Sequence, residues 1–166
     1  IMMPGNAIKR HPFVEERTLK LQEFAENCIY NTVEYGSSDE MGIITSGCSY
    51  QYVKEVFGDT VSILKIGMPN PLPVNTIKDF ASKVKKLYVI EELDPVIENQ
   101  VKAMGIDCVG KELFSMLGEF SQRTIAKAFG KEDKYSVVAD SVIPARPPMM
   151  CAGCPHRGIF YTLSKN

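Results

Sequence analysis

The apolar positions of this chain follow a helical period at first and a mixed pattern after about residue 40. A helix is predicted from about Phe13, because apolar residues then recur at helical spacing with charged residues between them. Its apolar stripe consists of Leu21, Phe24, Ala25, Cys28 and Ile29. Residues 1–12 contain prolines and a glycine and are predicted to be irregular, and residues 36–40 form a polar break.

After this break, short apolar runs alternate with amphipathic segments. The runs predict strands near residues 41–45, 61–66, 87–91 and 106–109. The amphipathic segments predict helices from Ser49 to Phe57, from about Asn75 to Val84, from Asp94 to Met104, and from Gln122 to Phe129. Asn75 and Asp94 are the expected N-caps of the second and third of these helices, and Pro95 suits a first helical position.

This alternation of strands and helices with short connections predicts the fold class. We expect an α/β fold with an open, doubly wound, mostly parallel sheet and right-handed crossovers. In such sheets, ligands and partners meet the carboxyl ends of the strands. These ends are Ser46-Gly47, Gly67-Met68 and Glu91-Glu92.

Charge and cysteine content narrow the function classes. A formal net charge of −1 gives no electrostatic reason to expect binding to nucleic acid or to an anionic membrane. The apolar runs are only a few residues long and the first residues lack a signal-peptide pattern, so neither a transmembrane helix nor secretion is expected. Cys28, Cys48 and Cys108 lie singly in apolar surroundings, which predicts buried thiols in a reducing cytoplasm.

The pair Cys151 and Cys154 forms a C-x-x-C motif with two interpretations. As thiolates, both sulfurs could reach one metal ion or cluster, because Gly153 allows the backbone to turn tightly between them. Two thiolates are half of a four-ligand set, and a zinc site could add His156. The alternative is that two cysteines simply lie in a surface loop, and spacing alone leaves both interpretations open.

Two further clusters carry charge. His156, Arg157 and Gly158 could hold a phosphate or diphosphate before a helix opening near Phe160, although spacing alone favours a solvated basic pair. Glu91 and Glu92, with Asp94 nearby, could serve as acid, base or hydrogen-bond acceptor for a cofactor. The favoured interpretation is a carboxylate cluster at the start of a helix.

The C-terminal residues resemble a known family. The stretch Ala145-Arg-Pro-Pro-Met-Met-Cys-Ala-Gly-Cys-Pro-His-Arg-Gly158 is similar to the thiamine-diphosphate region of the indolepyruvate ferredoxin oxidoreductase alpha subunit. Arg10-His-Pro-Phe-Val-Glu-Glu-Arg17 resembles the linker after that family's pyrimidine-side domain. Gly67-Met-Pro-Asn-Pro-Leu-Pro73 and Val89-Ile-Glu-Glu-Leu-Asp94 resemble its transketolase C-terminal-like domain. The resemblance covers essentially the whole chain, and we expect the chain to be an internal piece of a longer subunit.

This resemblance implies an organisation and a reaction. It implies a linker helix region at 1–38, a transketolase C-terminal-like α/β domain at 39–130, and a linker with the start of a thiamine-diphosphate-binding domain at 131–166. The family oxidatively decarboxylates arylpyruvates to arylacetyl-CoA with coenzyme A and ferredoxin. Its cofactors are thiamine diphosphate, Mg2+ and [4Fe-4S] clusters, and its partners are a beta subunit and ferredoxin.

Residue by residue, the resemblance makes Cys151 and Cys154 cluster ligands and places His156, Arg157 and Gly158 near the thiamine diphosphate. The family's ferredoxin-type cysteine motifs, Mg2+ motif and pyrimidine-contacting glutamate have no match in these residues. We therefore expect the fragment alone to bind no cofactor and to be inactive, acting as a structural and interface domain. The alternative is an independent small metal- or nucleotide-binding α/β module that uses Cys151, Cys154 and His156.

Overall fold

The computed structural model describes residues 3–132, 144 and 149–165, in two compact units divided between residues 134 and 135. The helices of the first unit are α1 (Pro4–Glu26), α2 (Ser49–Phe57), α3 (Val74–Ser82), α4 (Val96–Ala103) and α5 (Gln122–Ala128). Its strands are β1 (Thr32–Glu34), β2 (Met41–Ser46), β3 (Ser62–Ile66) and β4 (Lys86–Ile90). The second unit contains α6 (His156–Lys165). The predicted linker falls mostly on residues 133–143 and 145–148, which lie outside the described residues.

The strands form one open sheet in the order β1-β3-β2-β4. β2 pairs in parallel with β3 and with β4, so that Ile43 lies opposite both Ile63 and Tyr88. β1 pairs antiparallel with β3, with Val33 opposite Leu64. The predicted open, mostly parallel α/β sheet is confirmed.

Helices cover both faces of this sheet, because alternate side chains of each strand point to opposite sides. Residues including Ile43 and Ile63 pack in one core cluster with Val53 of α2 and Ile125 of α5. Residues including Ile44 and Leu64 pack in a second cluster with Phe80 of α3 and Val101 of α4. Burial of each of these large apolar side chains contributes roughly 1.5–3 kcal/mol. The doubly wound arrangement is therefore confirmed.

The helix predicted from Ser49 to Phe57 has these bounds in the structure, and Gly58 follows it with a φ of 58°. A positive φ is accessible to glycine at no steric cost, so Gly58 can end the helix. Val53 and Phe57 face the core as the apolar spacing predicts. The last predicted helix is also present and ends at Ala128, one residue before the predicted end.

α1 differs from the sequence prediction. It begins at Pro4 instead of near Phe13, and Pro12 lies inside it, so the prediction of irregular structure is wrong for residues 4–12. Proline suits a first helical position because the N–H it lacks would have no partner there, whereas Pro12 costs the helix one internal hydrogen bond. Of the predicted apolar stripe, Ala25 is buried, but Phe24 is 59% exposed.

The two ends of the sheet also depart from expectation. β1 has only three residues, too few for a recognisable alternating pattern, and it was not predicted. The predicted strand at 106–109 is reduced to one parallel bridge between Tyr88 and Val109. Directly after this bridge, the N–H of Lys111 donates to Glu98 at 2.8 Å. The backbone of Lys111 is therefore paired with α4 and does not extend the ladder with β4.

Candidate functional site

The cysteine pair of the second unit lies on a tight turn. The N–H of Cys154 donates to the carbonyl oxygen of Cys151 at 3.1 Å, and Gly153 has a φ of 76°. Glycine is the residue that adopts this backbone conformation most easily. Cys151 is exposed and Cys154 is partly buried. The predicted tight turn is present, and both residues remain accessible.

This turn fits part of the ligand set of a metal cluster. Two thiol side chains on one turn supply two of the four ligands that a cubane cluster or a structural zinc ion requires. Within the described part of the chain, no three His, Cys, Asp or Glu side chains lie close enough together to hold a metal ion. The assignment of Cys151 and Cys154 as cluster ligands stays a prediction, and so does a zinc site that adds His156.

His156, Arg157 and Gly158 form the first turn of α6. The helix therefore begins at His156, and the prediction that it opens near Phe160 is wrong. The N–H of Arg157 donates to Cys154 at 3.1 Å, and its guanidinium donates to the carbonyl oxygen of Met150 at 2.8 Å. These bonds connect the start of α6 to the cysteine turn. The helix N-terminus and the remaining guanidinium donors suit an anion, but binding of thiamine diphosphate here stays a prediction.

The cysteines of the first unit differ in exposure. Cys28 and Cys108 are buried as predicted, whereas Cys48 is exposed, so the prediction of a buried thiol is wrong for Cys48. Cys48 lies directly before α2 in the loop that follows β2. Burial raises the pKa of Cys108 to about 11, so this residue is a neutral thiol near pH 7 and serves the core.

A cleft lies at the carboxyl ends of β2 and β4, at the edge where the fold predicts ligands to bind. The chain leaves β2 through α2 toward β3, whereas it leaves β4 through α4 in the opposite direction. This point of divergence is the topological switch point of the sheet, where crevices form. The cleft is lined by Ser46, Gly47, Cys48, Ser49, Pro69, Glu91, Glu92, Leu93, Asp94, Val96 and Ile97.

Glu91 caps α4. Its carboxylate accepts hydrogen bonds from the N–H groups of Ile97 and Glu98, both at 2.9 Å, and the residue is only 6% exposed. The favoured interpretation of a carboxylate at a helix start is confirmed for Glu91. The prediction that Asp94 caps this helix is wrong, because Asp94 contributes only its backbone oxygen, which accepts from Val96 at 2.8 Å. Leu93 adopts a φ of 60° between the two acidic residues.

A second carboxylate caps α3 from a distant part of the chain. Glu26, at the end of α1, accepts from the N–H groups of Asn75 at 2.8 Å and of Thr76 at 3.0 Å. Asn75 therefore lies inside the first turn, where its N–H donates a hydrogen bond, and the prediction that it caps the helix is wrong. The two partners are 49 residues apart, and local sequence offers no signal for such a cap.

Glu98 is a buried acid with two partners. Its carboxylate accepts from the side chain of Lys102 at 2.7 Å and from the N–H of Lys111 at 2.8 Å. Burial alone would raise the pKa of Glu98, but these hydrogen bonds lower it more, and the net pKa lies below its ordinary value of 4.5. Gly110 allows this approach, since an added Cβ would lie 2.3 Å from a Glu98 carboxylate oxygen.

Glu98 is therefore expected to make the free energy of unfolding depend on pH. The pKa of Glu98 is lowered in the folded state. The stabilisation is therefore present at a pH above the pKa of the unfolded state, and it is lost as the pH falls through the pKa of the folded state. The free energy of unfolding of wild type should exceed that of Glu98→Gln at pH 7, and this difference should narrow below pH 4.5. Urea titrations of wild type and Glu98→Gln, from pH 7 to below pH 4.5, measure this difference in free energy of unfolding. A difference that does not change with pH would contradict the expectation, and Glu112→Gln, at an exposed acid, is the control.

Thr45 is the one fully buried hydroxyl in the described residues that has no hydrogen-bond partner. Replacing Thr45 with valine is expected to raise the free energy of unfolding by about 1 kcal/mol, because the desolvated hydroxyl is removed at nearly constant shape. Thr60→Val is the matched control, since the Thr60 hydroxyl donates to Phe57 at 2.6 Å and its loss should destabilise. Chemical denaturation of both variants tests the contrast, and a loss of stability in Thr45→Val would contradict it.

The chain is similar in sequence to known indolepyruvate oxidoreductase subunits. The chain is 34% identical to the indolepyruvate oxidoreductase subunit IorA of Thermococcus kodakarensis, over 98% of this chain and 29% of that protein. It is also 34% identical to IorA of Archaeoglobus fulgidus, over 99% of this chain and 29% of that protein. The resemblance to the indolepyruvate oxidoreductase alpha subunit is confirmed. The chain spans about 29% of the length of these relatives, and no family model matches it.

A solved structure agrees on the fold. The 2-oxoglutarate:ferredoxin oxidoreductase from Magnetococcus marinus, a structure with 2-oxoglutarate, coenzyme A and succinyl-CoA bound, matches 78% of this chain and 24% of its own. The TM-score is 0.53 and the sequence identity is 21%. None of the helices in the described residues is long and apolar enough to span a membrane.

Proposed function

We propose that the chain is a structural and interface segment of the alpha subunit of an indolepyruvate ferredoxin oxidoreductase. The observation that carries this proposal is its similarity to IorA subunits along 98–99% of its length. In this proposal residues 39–130 form the transketolase C-terminal-like domain, and residues 131–166 lead into the thiamine-diphosphate-binding domain.

Exposed apolar side chains support an interface role. In α1, Ile8 and Phe13 are 74% and 63% exposed, and in α6, Phe160 and Leu163 are 58% and 68% exposed. Phe160 and Leu163 are three residues apart and so share one face of α6. Large apolar side chains grouped on one face are typical of surfaces that another part of a protein covers. The two core clusters and the helix caps meanwhile hold the α/β domain together. We infer that the segment joins neighbouring parts of a larger subunit.

The parent enzyme would oxidatively decarboxylate arylpyruvates to arylacetyl-CoA, with coenzyme A and reduction of ferredoxin. Thiamine diphosphate with Mg2+ would supply the decarboxylation chemistry and [4Fe-4S] clusters the electron transfer. In this segment, Cys151 and Cys154 would bind a cluster through their sulfur atoms. His156 and Arg157, with the backbone of Gly158, would contribute hydrogen-bond donors toward the diphosphate.

A beta subunit and ferredoxin would be the protein partners of this enzyme. A cytoplasmic location agrees with the described cysteines, which are all free thiols. The 166-residue chain by itself is expected to be inactive, since the residues matching the family include no Mg2+ motif and no pyrimidine-contacting glutamate.

The test is reconstitution of the whole enzyme. The longer reading frame that contains this segment is co-expressed with its beta subunit under anaerobic conditions, and reduction of ferredoxin is followed with indolepyruvate and coenzyme A. The proposal expects turnover by the complex and none by the 166-residue chain. A cofactor-loaded complex that turns over no arylpyruvate would refute the assigned reaction.

A further inference from the structure

The cleft between β2 and β4 contains hydrogen-bond donors on one side. It is lined by the loop Ser46-Gly-Cys-Ser49, which leads into α2, and no side chain caps this helix. The N–H groups of its first turn therefore lie beside the cleft without a side-chain acceptor. A helix N-terminus carries about half a positive charge, which favours an anionic group.

Ser49 adds an independent indication of a ligand. The residue lines the cleft although it is only 4% exposed. Its hydroxyl has no hydrogen-bond partner among the described residues. Within that part of the chain, Thr45 carries the one fully buried hydroxyl without a partner, so the Ser49 hydroxyl, although its residue is mostly buried, is open to the cleft that it lines. It can therefore donate to an acceptor that a ligand supplies.

The opposite side of the cleft carries acceptors. The carboxylate of Glu91 is occupied by the α4 backbone, whereas the exposed side chains of Glu92 and Asp94 line the opening. One Glu92 oxygen accepts from the N–H of Phe120 at 3.3 Å, which leaves its other oxygen available. Two carboxylates outweigh the half charge of one helix end, so a phosphate would be repelled.

A ligand that fits both sides needs an anionic group next to a cationic one. The geometry points to a binding site for a free α-amino acid with an apolar side chain. Its carboxylate accepts from the first turn of α2 and from Ser49, and its ammonium donates to Asp94 and Glu92. Its side chain contacts the apolar rim formed by Pro69, Leu93 and Val96, of which Leu93 is 60% exposed. This inference does not depend on the proposed function.

The site is tested by titrating the ¹⁵N-labelled 166-residue chain with L-phenylalanine and L-leucine and recording amide chemical shifts. Saturable shifts are expected at the amides of Gly47, Ser49 and Leu93. Phenylpyruvate, which lacks the ammonium group, phenylethylamine, which lacks the carboxylate, and inorganic phosphate should each bind about tenfold more weakly or not at all.

Variants separate the two halves of the site. Asp94→Asn should weaken amino-acid binding by about tenfold, and Ser49→Ala by a few-fold, while the remaining spectrum shows that the fold is retained. Glu112→Gln, which removes an exposed charge outside the cleft lining, should bind as wild type does. Absence of saturable shifts with both amino acids, equal binding of phenylpyruvate, tighter binding of phosphate, or unchanged affinity in Asp94→Asn would each overturn the inference.

Discussion

Replacing Glu91 with alanine is expected to lower the free energy of unfolding by about 2–3 kcal/mol. The change removes an acceptor that binds the N–H groups of Ile97 and Glu98, both at 2.9 Å, inside a residue that is 6% exposed. Both N–H groups then lose their partner at the start of α4. Urea denaturation measures the loss, and hydrogen exchange at these two amides locates it.

The adjacent acid provides a matched control. Glu92 is exposed, and one of its oxygens accepts a single long hydrogen bond of 3.3 Å from Phe120, so Glu92→Ala should cost less than about 1 kcal/mol. Glu91→Gln should fall between the two alanine variants, because an amide retains only one acceptor oxygen. Equal losses in Glu91→Ala and Glu92→Ala would show that the buried carboxylate does not stabilise α4.

In the full-length subunit, Cys154→Ser is expected to remove a cluster. About four fewer iron atoms per subunit should be bound, and electron transfer to ferredoxin should be largely lost, since a cubane cluster requires four protein ligands. Cys151→Ser should have the same effect, because the two residues share one turn closed by a hydrogen bond of 3.1 Å. Iron analysis and electron paramagnetic resonance of the purified complex measure both variants.

Cys48→Ser is the control for this experiment, because Cys48 is also an exposed thiol but precedes α2 in the other unit. It should leave the iron content unchanged. The α/β domain should remain folded in all three variants, as judged by the exchange protection of β2 and β3 amides. Unchanged iron content and unchanged spectra in Cys154→Ser would show that this pair is not a ligand set.

Much of the α/β domain could be predicted from local patterns. Three of the four predicted strands are present, because buried strands require continuous apolar runs and these are visible in sequence. Both bounds of α2 were predicted correctly, because Val53 and Phe57 follow the helical period and a glycine, Gly58, comes directly after Phe57. The prediction of a fourth strand at 106–109 was wrong, because an apolar run does not reveal whether a neighbouring strand continues to pair with it.

The candidate sites were less predictable. The tight turn at Cys151 and Cys154 follows from their spacing and from Gly153, but a ligand role depends on further ligands that no local pattern reveals. The cleft lining brings Ser49 and Asp94 together from loops that are far apart in the chain. Sequence indicated both strand ends separately, and only the strand order shows that β2 and β4 are neighbours.

What the sequence by itself determined is the local order of strands and helices, the doubly wound class and the resemblance to a known subunit. These depend on periodicity and on motifs within short windows. Only the tertiary structure decided which carboxylates cap the helices, because Glu26 and Glu91 reach backbone groups 49 and six residues away. It also decided that Leu21, Phe24 and Ile29 of the predicted apolar stripe are left exposed, since burial depends on which surfaces meet in space.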